Sequence, residues 1–247
     1  MSAPASHPPL GSHHVVARNL AEHARNPIHT DAGAQDAGFP RAIVAGVTTY
    51  AYVANIPARD WGTEWLDHGG AEVRFRQPVF DGDTLTITSV DDDSGTQQLH
   101  VTARGNEQPC VICSVTPYAG DVPPLRPGED LPSVTRALTG EFGADYAARA
   151  GDPLELFTTA VRVHPAVWPA LANDMVHSHV ARGSWIHTRS IIRHHHPARP
   201  GGEATVIARV VDRRDGALGE RALLDVHIAV DDIVVASLEH EAYVALR

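Results

Sequence analysis

The sequence predicts an α+β chain built twice over, each half an antiparallel sheet wrapped around one central helix. Three observations carry that expectation. Each half has one apolar run of helix length, each run is followed by alternating apolar and polar segments, and a set of residues recurs at fixed spacing across a Pro-rich divide.

Residues 1–14 hold Ser, Pro and His without the apolar core of a signal peptide and are expected to be a disordered N-terminus. Residues 15–118 form the first half. Within it Val44 to Ile56 is apolar almost all round, as suits a helix buried in the concave face of a sheet, although the β-branched Val47, Thr48 and Thr49 favour strand. Ala71, Val73 and Phe75 then alternate with Glu72, Arg74 and Arg76, the period of a half-buried strand. Leu85-Ile87, Leu99-Val101-Ala103 and Val111-Cys113-Val115 continue the pattern, with Asp92-Asp93-Ser94-Gly95 as a turn. Ala54 to Gly70 reads as a long connection.

Residues 119–133, with Pro123, Pro124, Pro127 and Pro132, sustain neither helix nor central strand and read as a linker. The second half, 134–247, has its helix at Val167 to Val180. Its strands are expected at about Trp185 to His195, Ala204 to Asp212, Arg221 to Ile228 and Ile233 to Val244, with turns at Arg214-Asp215-Gly216 and Asp231-Asp232.

The repeat ties the halves together. Arg74 to Arg193, Pro78 to Pro197 and Gly82 to Gly201 each span 119 positions. Upstream, a weaker match sets Ala24 against Asp152 and Val47 against Met175 at a spacing of 128. One helix wrapped by an antiparallel sheet, twice, is a double hotdog. A monomer of this kind reproduces the dimer of a single-copy hotdog, with a homodimer of it as the alternative state.

Composition narrows the function. A formal charge of −10 with scattered Lys and Arg leaves no footprint for nucleic acid. No apolar run reaches the roughly 20 residues of a membrane span, so no membrane partner and a cytosolic location are expected. Cys110 and Cys113 form a Cys-x-x-Cys that lacks a second ligand pair; in a strand they would face opposite sides, so they are expected to be structural. Among the sixteen histidines, His194-His195-His196 is the densest group, but no carboxylate or thiol spacing accompanies it. It is expected to be a solvated or locally hydrogen-bonded strand surface, and neither metal nor cofactor is expected.

The chemistry concentrates in Asn26-Pro27-Ile28-His29, Ala37-Gly38-Phe39, Val44-Ala45-Gly46-Val47 and Pro78-Val79-Phe80-Asp81-Gly82-Asp83. Over roughly residues 15–90 this ordered set resembles the MaoC-like (R)-specific enoyl-CoA hydratases and dehydratases, a hotdog-fold family. The resemblance implies an acyl thioester substrate, on CoA or an acyl carrier protein. It makes His29 the catalytic histidine, Asn26 its supporting asparagine, and Gly46 the helix-start residue whose N–H meets the thioester carbonyl. The family's aspartate falls on Ala24.

Adding water to an enoyl thioester requires a base, an acid and a donor to the developing enolate oxygen. Histidine suits the first two because imidazole titrates near neutral pH. Pro27 keeps Asn26 out of the helical region, where its amide would orient the water or the imidazole. Gly46, opening a helix and lacking a Cβ, suits the third. Several groups are candidates to replace the missing carboxylate, and Glu22 and His23 flank the altered position. Asp31 lies two residues beyond His29, Asp152 is the upstream repeat equivalent of Ala24, and Asp174 lies on the second central helix, where double-hotdog dehydratases place theirs. Asp174 or Asp152 is expected within a water-bridged distance of His29.

Two other outcomes remain open on the residues alone. One is a hydratase-inactive hotdog protein that binds an acyl thioester or hydrophobic metabolite. The other is different chemistry on the scaffold, as a thioesterase or as an isomerase or cyclase in secondary metabolism. Tyr50, Tyr52, Trp61 and Trp65 are either tunnel lining or core, and Arg74 and Arg76 either meet phosphates or are solvated.

Overall fold

The computed structural model of the chain describes residues 8–20, 25–91, 97–159 and 161–247. Glu22, His23, Ala24 and the turn expected at 92–95 lie outside them. In the first half, β1 (His13–Val16) and α1 (Asp31–Asp36) precede the central helix α2 (Gly46–His68), followed by β2 (Gly70–Phe75), β3 (Thr84–Asp91), β4 (Gln97–Ala103) and β5 (Val111–Thr116). Two short strands, β6 (Glu129–Asp130) and β7 (Val134–Ala137), lead into the second half. There α3 (Asp145–Ala150), α4 (Glu155–Thr158) and the central helix α5 (Val167–Met175) precede β8 (Ile186–His194), β9 (Glu203–Gly216), β10 (Gly219–Val230) and β11 (Ile233–Leu246).

The strands form one eleven-stranded sheet in the order β1-β3-β4-β5-β2-β8-β11-β10-β9-β6, with β7 also on β9. That order is nearly a palindrome of itself once each strand is exchanged for its counterpart in the other half. The halves meet where β2 pairs antiparallel with β8, Glu72 opposite Ile191. Those two residues are themselves 119 apart, so a pseudo-twofold axis passes through the pair and the repeat spacing sets the central register. Gly82 and Gly201 both take positive φ, 82° and 101°, so the same left-handed turn closes the equivalent strand corner in each copy.

Apolar alternation on each strand faces the helices. Val73, Leu85, Ile87, Leu99, Val101 and Val111 share one buried core with the residues of α2, and Ile192, Val206, Leu224, Val226 and Leu238 belong to the same core in the second half. This is a double hotdog.

Several expectations change. Helix α2 does not stop at Ile56: it runs through Pro57 to His68, bent at Gly62, so most of the supposed connection 54–70 is helix. The central helices start 121 residues apart, at Gly46 and Val167, so the upstream spacing of 128 does not hold. After Met175 the second helix widens into a π-helical turn over Val176–Val180. His13 and His14, expected in the disordered leader, pair with Ile87 and Thr86, and Glu129 and Asp130, expected in the linker, pair with Val210 and Arg209. The β9–β10 hairpin turns at Ala217-Leu218, beyond the expected Arg214-Asp215-Gly216, whereas Asp231 and Asp232 do form their turn, with φ of 51° and 63°.

Cys110 and Cys113 are both buried rather than split between faces, because Cys110 precedes β5 and donates to the Val101 carbonyl at 3.2 Å. Tyr50, Tyr52, Trp61 and Trp65 are core residues. Of the expected solvated or locally hydrogen-bonded cluster, His196 is exposed, whereas His194 and His195 are buried and hydrogen-bonded. His194 Nδ1 donates to the Trp65 carbonyl at 2.9 Å, and His195 Nε2 meets Ser237 Oγ at 2.8 Å. No helix among the described residues is long and apolar enough to cross a membrane.

Candidate active site

The segment carrying His29 is folded by its own side chains. Asn26 is extended, Pro27 opens a single 3-10 turn ending at His29, and the Asn26 side chain accepts from Ile28 N–H. Thr30 caps α1 by accepting from Gly33 N–H at 3.2 Å. The loop is clamped to the lead-in of α2, since Ile43 N–H donates to the Ile28 carbonyl at 3.2 Å.

That clamp fixes the tautomer of His29. Its Nδ1 lies 2.7 Å from the Ile43 carbonyl, an oxygen that only accepts, so Nδ1 carries the proton and the neutral ring's lone pair is on Nε2. A base or acid held in this way presents one defined nitrogen.

His29 lines a cavity of about 160 Å³ between the halves. Asn26, Gly46, Thr49 and Phe75 share the lining from the first half, and Asn173, Trp185, His187 and Tyr243 from the second. Ile28, Phe39, Ile43, Val44 and Val79 make much of the wall apolar, with Arg76 and Gln77 at an exposed edge. Gly46 begins α2, and the first amides of a helix have no partner within it. A second, smaller cavity shares Asn26, His29, Asn173 and Trp185 with the first and adds Arg25, Glu141, Arg149, Asp174 and His177. His29 thus stands where an apolar chamber meets a charged vestibule.

The structure therefore brings His29, Asn26 and Gly46 to one cavity and Asp174 to the adjoining one. Asp174 is nonetheless committed elsewhere: its carboxylate accepts from Arg25 at 3.3 Å and from Arg136 Nε at 2.8 Å. Asp152 lines neither cavity. It is buried, takes donors from Asn55 at 3.0 Å and Leu154 N–H at 3.0 Å, and lies 3.3 Å from His164 Nε2. These partners outweigh its desolvation and hold its carboxyl below the ordinary range. Asp31 does not orient His29 either: it is exposed and accepts from Ala42 N–H at 2.8 Å, closing the loop after α1.

Asn26 is anchored to the second half. Its Nδ2 donates to the Trp185 carbonyl at 2.9 Å and its Oδ1 accepts from Trp185 N–H at 3.3 Å, so the amide binds the other half's main chain as a strand neighbour would. Arg74 pairs with Glu72.

Sequence reasoning missed His187, Asn173 and Trp185. For His187 the reason is geometric. Along β8, Glu241 of β11 faces Arg189 but Ala242 faces His187, so Thr188 is a bulge. A bulge puts residues three apart on one face, which simple alternation forbids. His187 and Ser190 accordingly both point inward, Nε2 to Oγ 2.8 Å, and Ser190 Oγ is 2.9 Å from Nδ1 of the cross-strand His240. Burial, reinforced for His187 by the neighbouring His240, pushes both imidazoles down, His240 to about 3.

Residues 17–108 match the family model described as MaoC like domain. No curated protein matches the sequence. Among solved structures, the chain superposes with a TM-score of 0.66 on a MaoC domain dehydratase from Chloroflexus aurantiacus J-10-fl, at 12% identity over 97% of this chain and 95% of that one. A conserved hypothetical protein of Mycobacterium tuberculosis, with a double hotdog fold, gives 0.63 at 12% identity over 96% of each chain. An acyl-ACP thioesterase from Bacteroides thetaiotaomicron VPI-5482 gives 0.54 at 9% identity over 94% and 97%. Such low identities establish the fold alone. With the family match in the first half and the repeat across the second, residues 17–108 are a MaoC-like domain set within a double hotdog.

Proposed function

We propose that the chain acts on an acyl thioester, carried by CoA or by an acyl carrier protein, as a hydratase or dehydratase in which His29 handles the protons. The observation that carries this reading is the single tautomer of His29, fixed by the Ile43 carbonyl at 2.7 Å, at the edge of a largely apolar cavity that also holds the start of α2. In the hydration direction Nε2 takes a proton from water as the water oxygen bonds to Cβ, and the resulting imidazolium returns a proton to Cα. The enolate oxygen formed between those steps lies toward the first amides of α2. Dehydration is the reverse, and atoms balance with no further reactant.

The commitment of Asp174 to two arginines favours a second reading, in which the cavity holds a thioester without hydrating it. The experiment is turnover of crotonyl-CoA, 3-hydroxybutyryl-CoA and longer homologues by wild type and His29→Ala. Wild type is expected to interconvert them, and His29→Ala to lose about 10²–10⁴-fold in kcat. Binding without turnover at every chain length would replace the first reading by the second. Release of free CoA thiol, lost in His29→Ala, would mean hydrolysis instead.

A further inference from the structure

A hydroxyl carries one proton, so Ser190 accepts from one of its two histidines and donates to the other. Nδ1 of His187 and Nε2 of His240, the outer ends of this chain, are buried with no hydrogen-bond partner among the described residues. Two arrangements follow. If His187 donates to Ser190, the proton of His240 sits on Nε2, a buried N–H with no acceptor, and His187 turns a bare lone pair toward the cavity. If His240 donates to Ser190, its outer end is an unmet acceptor and His187 carries an N–H on Nδ1. Each arrangement leaves one N–H and one lone pair unmet, and they differ in where the N–H sits: only in the second does it stand on a residue that lines the cavity, so a bound oxygen selects the second arrangement.

The Nδ1–H it creates is well placed. His187 is 6% exposed, lies between Phe75 (ring centroids 4.7 Å apart) and His240 (4.3 Å, stacked), and lines the same cavity as His29. Its Nδ1 is 3.1 Å from where a Cβ on Gly46 would stand. An amide nitrogen is ~2.5 Å from its own Cβ position, so Gly46 N lies no more than about 5.6 Å from His187 Nδ1. One oxygen can accept from both at about 2.9 Å.

We propose that His187, contributed by the second half, is a catalytic hydrogen-bond donor to the thioester carbonyl oxygen, acting with the first amides of α2, and that Ser190 and His240 are positioning residues that set its tautomer. Glycine at position 46 then has a specific reason: a side chain would stand in the space between the two donors. The inference rests on the thioester reading above and adds a residue from the half of the chain outside the family match.

The test uses the two amides that imitate different ends of imidazole. His187→Asn places an amide nitrogen near the position of Nδ1, whereas His187→Gln fills more of the volume but reaches toward Nε2 and Ser190. With crotonyl-CoA, His187→Gln is expected to lose about 10²–10³-fold in kcat with KM little changed, as for removal of one oxyanion donor, and His187→Asn to retain most of the activity. A space-filling role would reverse that order and overturn the proposal.

Infrared difference spectra of bound [1-13C]butyryl-CoA read the same contact without turnover. The carbonyl band is expected to shift to lower frequency in wild type and His187→Asn, and back toward the free value in His187→Gln and, in part, Ser190→Ala. An unchanged band in His187→Gln removes the His187 role and leaves the thioester reading intact. A wild type that neither binds butyryl-CoA nor turns over crotonyl-CoA removes the thioester reading itself, and His187 with it.

Discussion

Asn26 shows how a motif residue is tied down by partners that its motif does not name. Its amide holds Trp185 by both main-chain groups, so it joins the halves beside His29. Asp152 is the converse, a buried carboxylate that resembles a catalytic partner but serves Asn55, His164 and the main chain of Leu154. Asp152→Ala leaves those groups buried and unmet, and is expected to cost about 1–3 kcal/mol or more of unfolding free energy. The kcat of the folded variant should remain close to wild type. Urea denaturation and turnover on one preparation check both, and a selective loss of kcat at unchanged stability would return Asp152 to the site.

At the level of elements, two departures from regular geometry stand out, one at the site and one at the far end of α2. The bulge at Thr188 turns His187 and Ser190 to the same side of β8, and the bend at Gly62 lets α2 continue past Pro57 to the start of β2. Gly62 has φ 67° and ψ −149°, a region that residues with a Cβ scarcely enter. A Cβ there would meet nothing within 4 Å, so the cost of Gly62→Ala is conformational. It is expected at about 1–3 kcal/mol, seen as a lowered Tm with the cavity residues unmoved. A Tm equal to wild type would mean that the bend is not needed. The sequence did not display either feature, because Pro57 reads as a helix stop and a bulge breaks the period-two pattern from which strand faces are inferred.

Over the whole molecule, buried histidines make stability depend on pH. His194, between Trp65 and the sheet, is pushed down to about 4 by burial, and His240 to about 3. The unfolded chain, with ordinary imidazoles near 6.5, binds more protons than the folded one between those values and about 6.5. Stability is therefore full above about pH 6.5 and falls as pH drops toward 4, before the paired carboxylates of Asp60, Asp152 and Asp225, held below their ordinary range, extend the loss. Urea midpoints between pH 7.5 and 4.5 are expected to decrease steadily. Midpoints that stay level or rise on acidification would show that these imidazoles are not held neutral in the folded state.

By itself the sequence determined the doubled architecture, most strand positions and the approach of His29 and Gly46. Apolar periodicity, turn chemistry and the 119-residue repeat are local or translational properties that a linear chain displays. Tertiary structure decided what each polar group does. Asp174 was taken up by arginines from two distant segments, and Asp152 by a partner set in the core. His187 was turned into the cavity by a bulge and completed by Ser190 and a histidine fifty residues further on. Hydrogen bonds saturate, so the role of a polar side chain is fixed by whichever partner reaches it first in space, and spacing along the chain does not encode that.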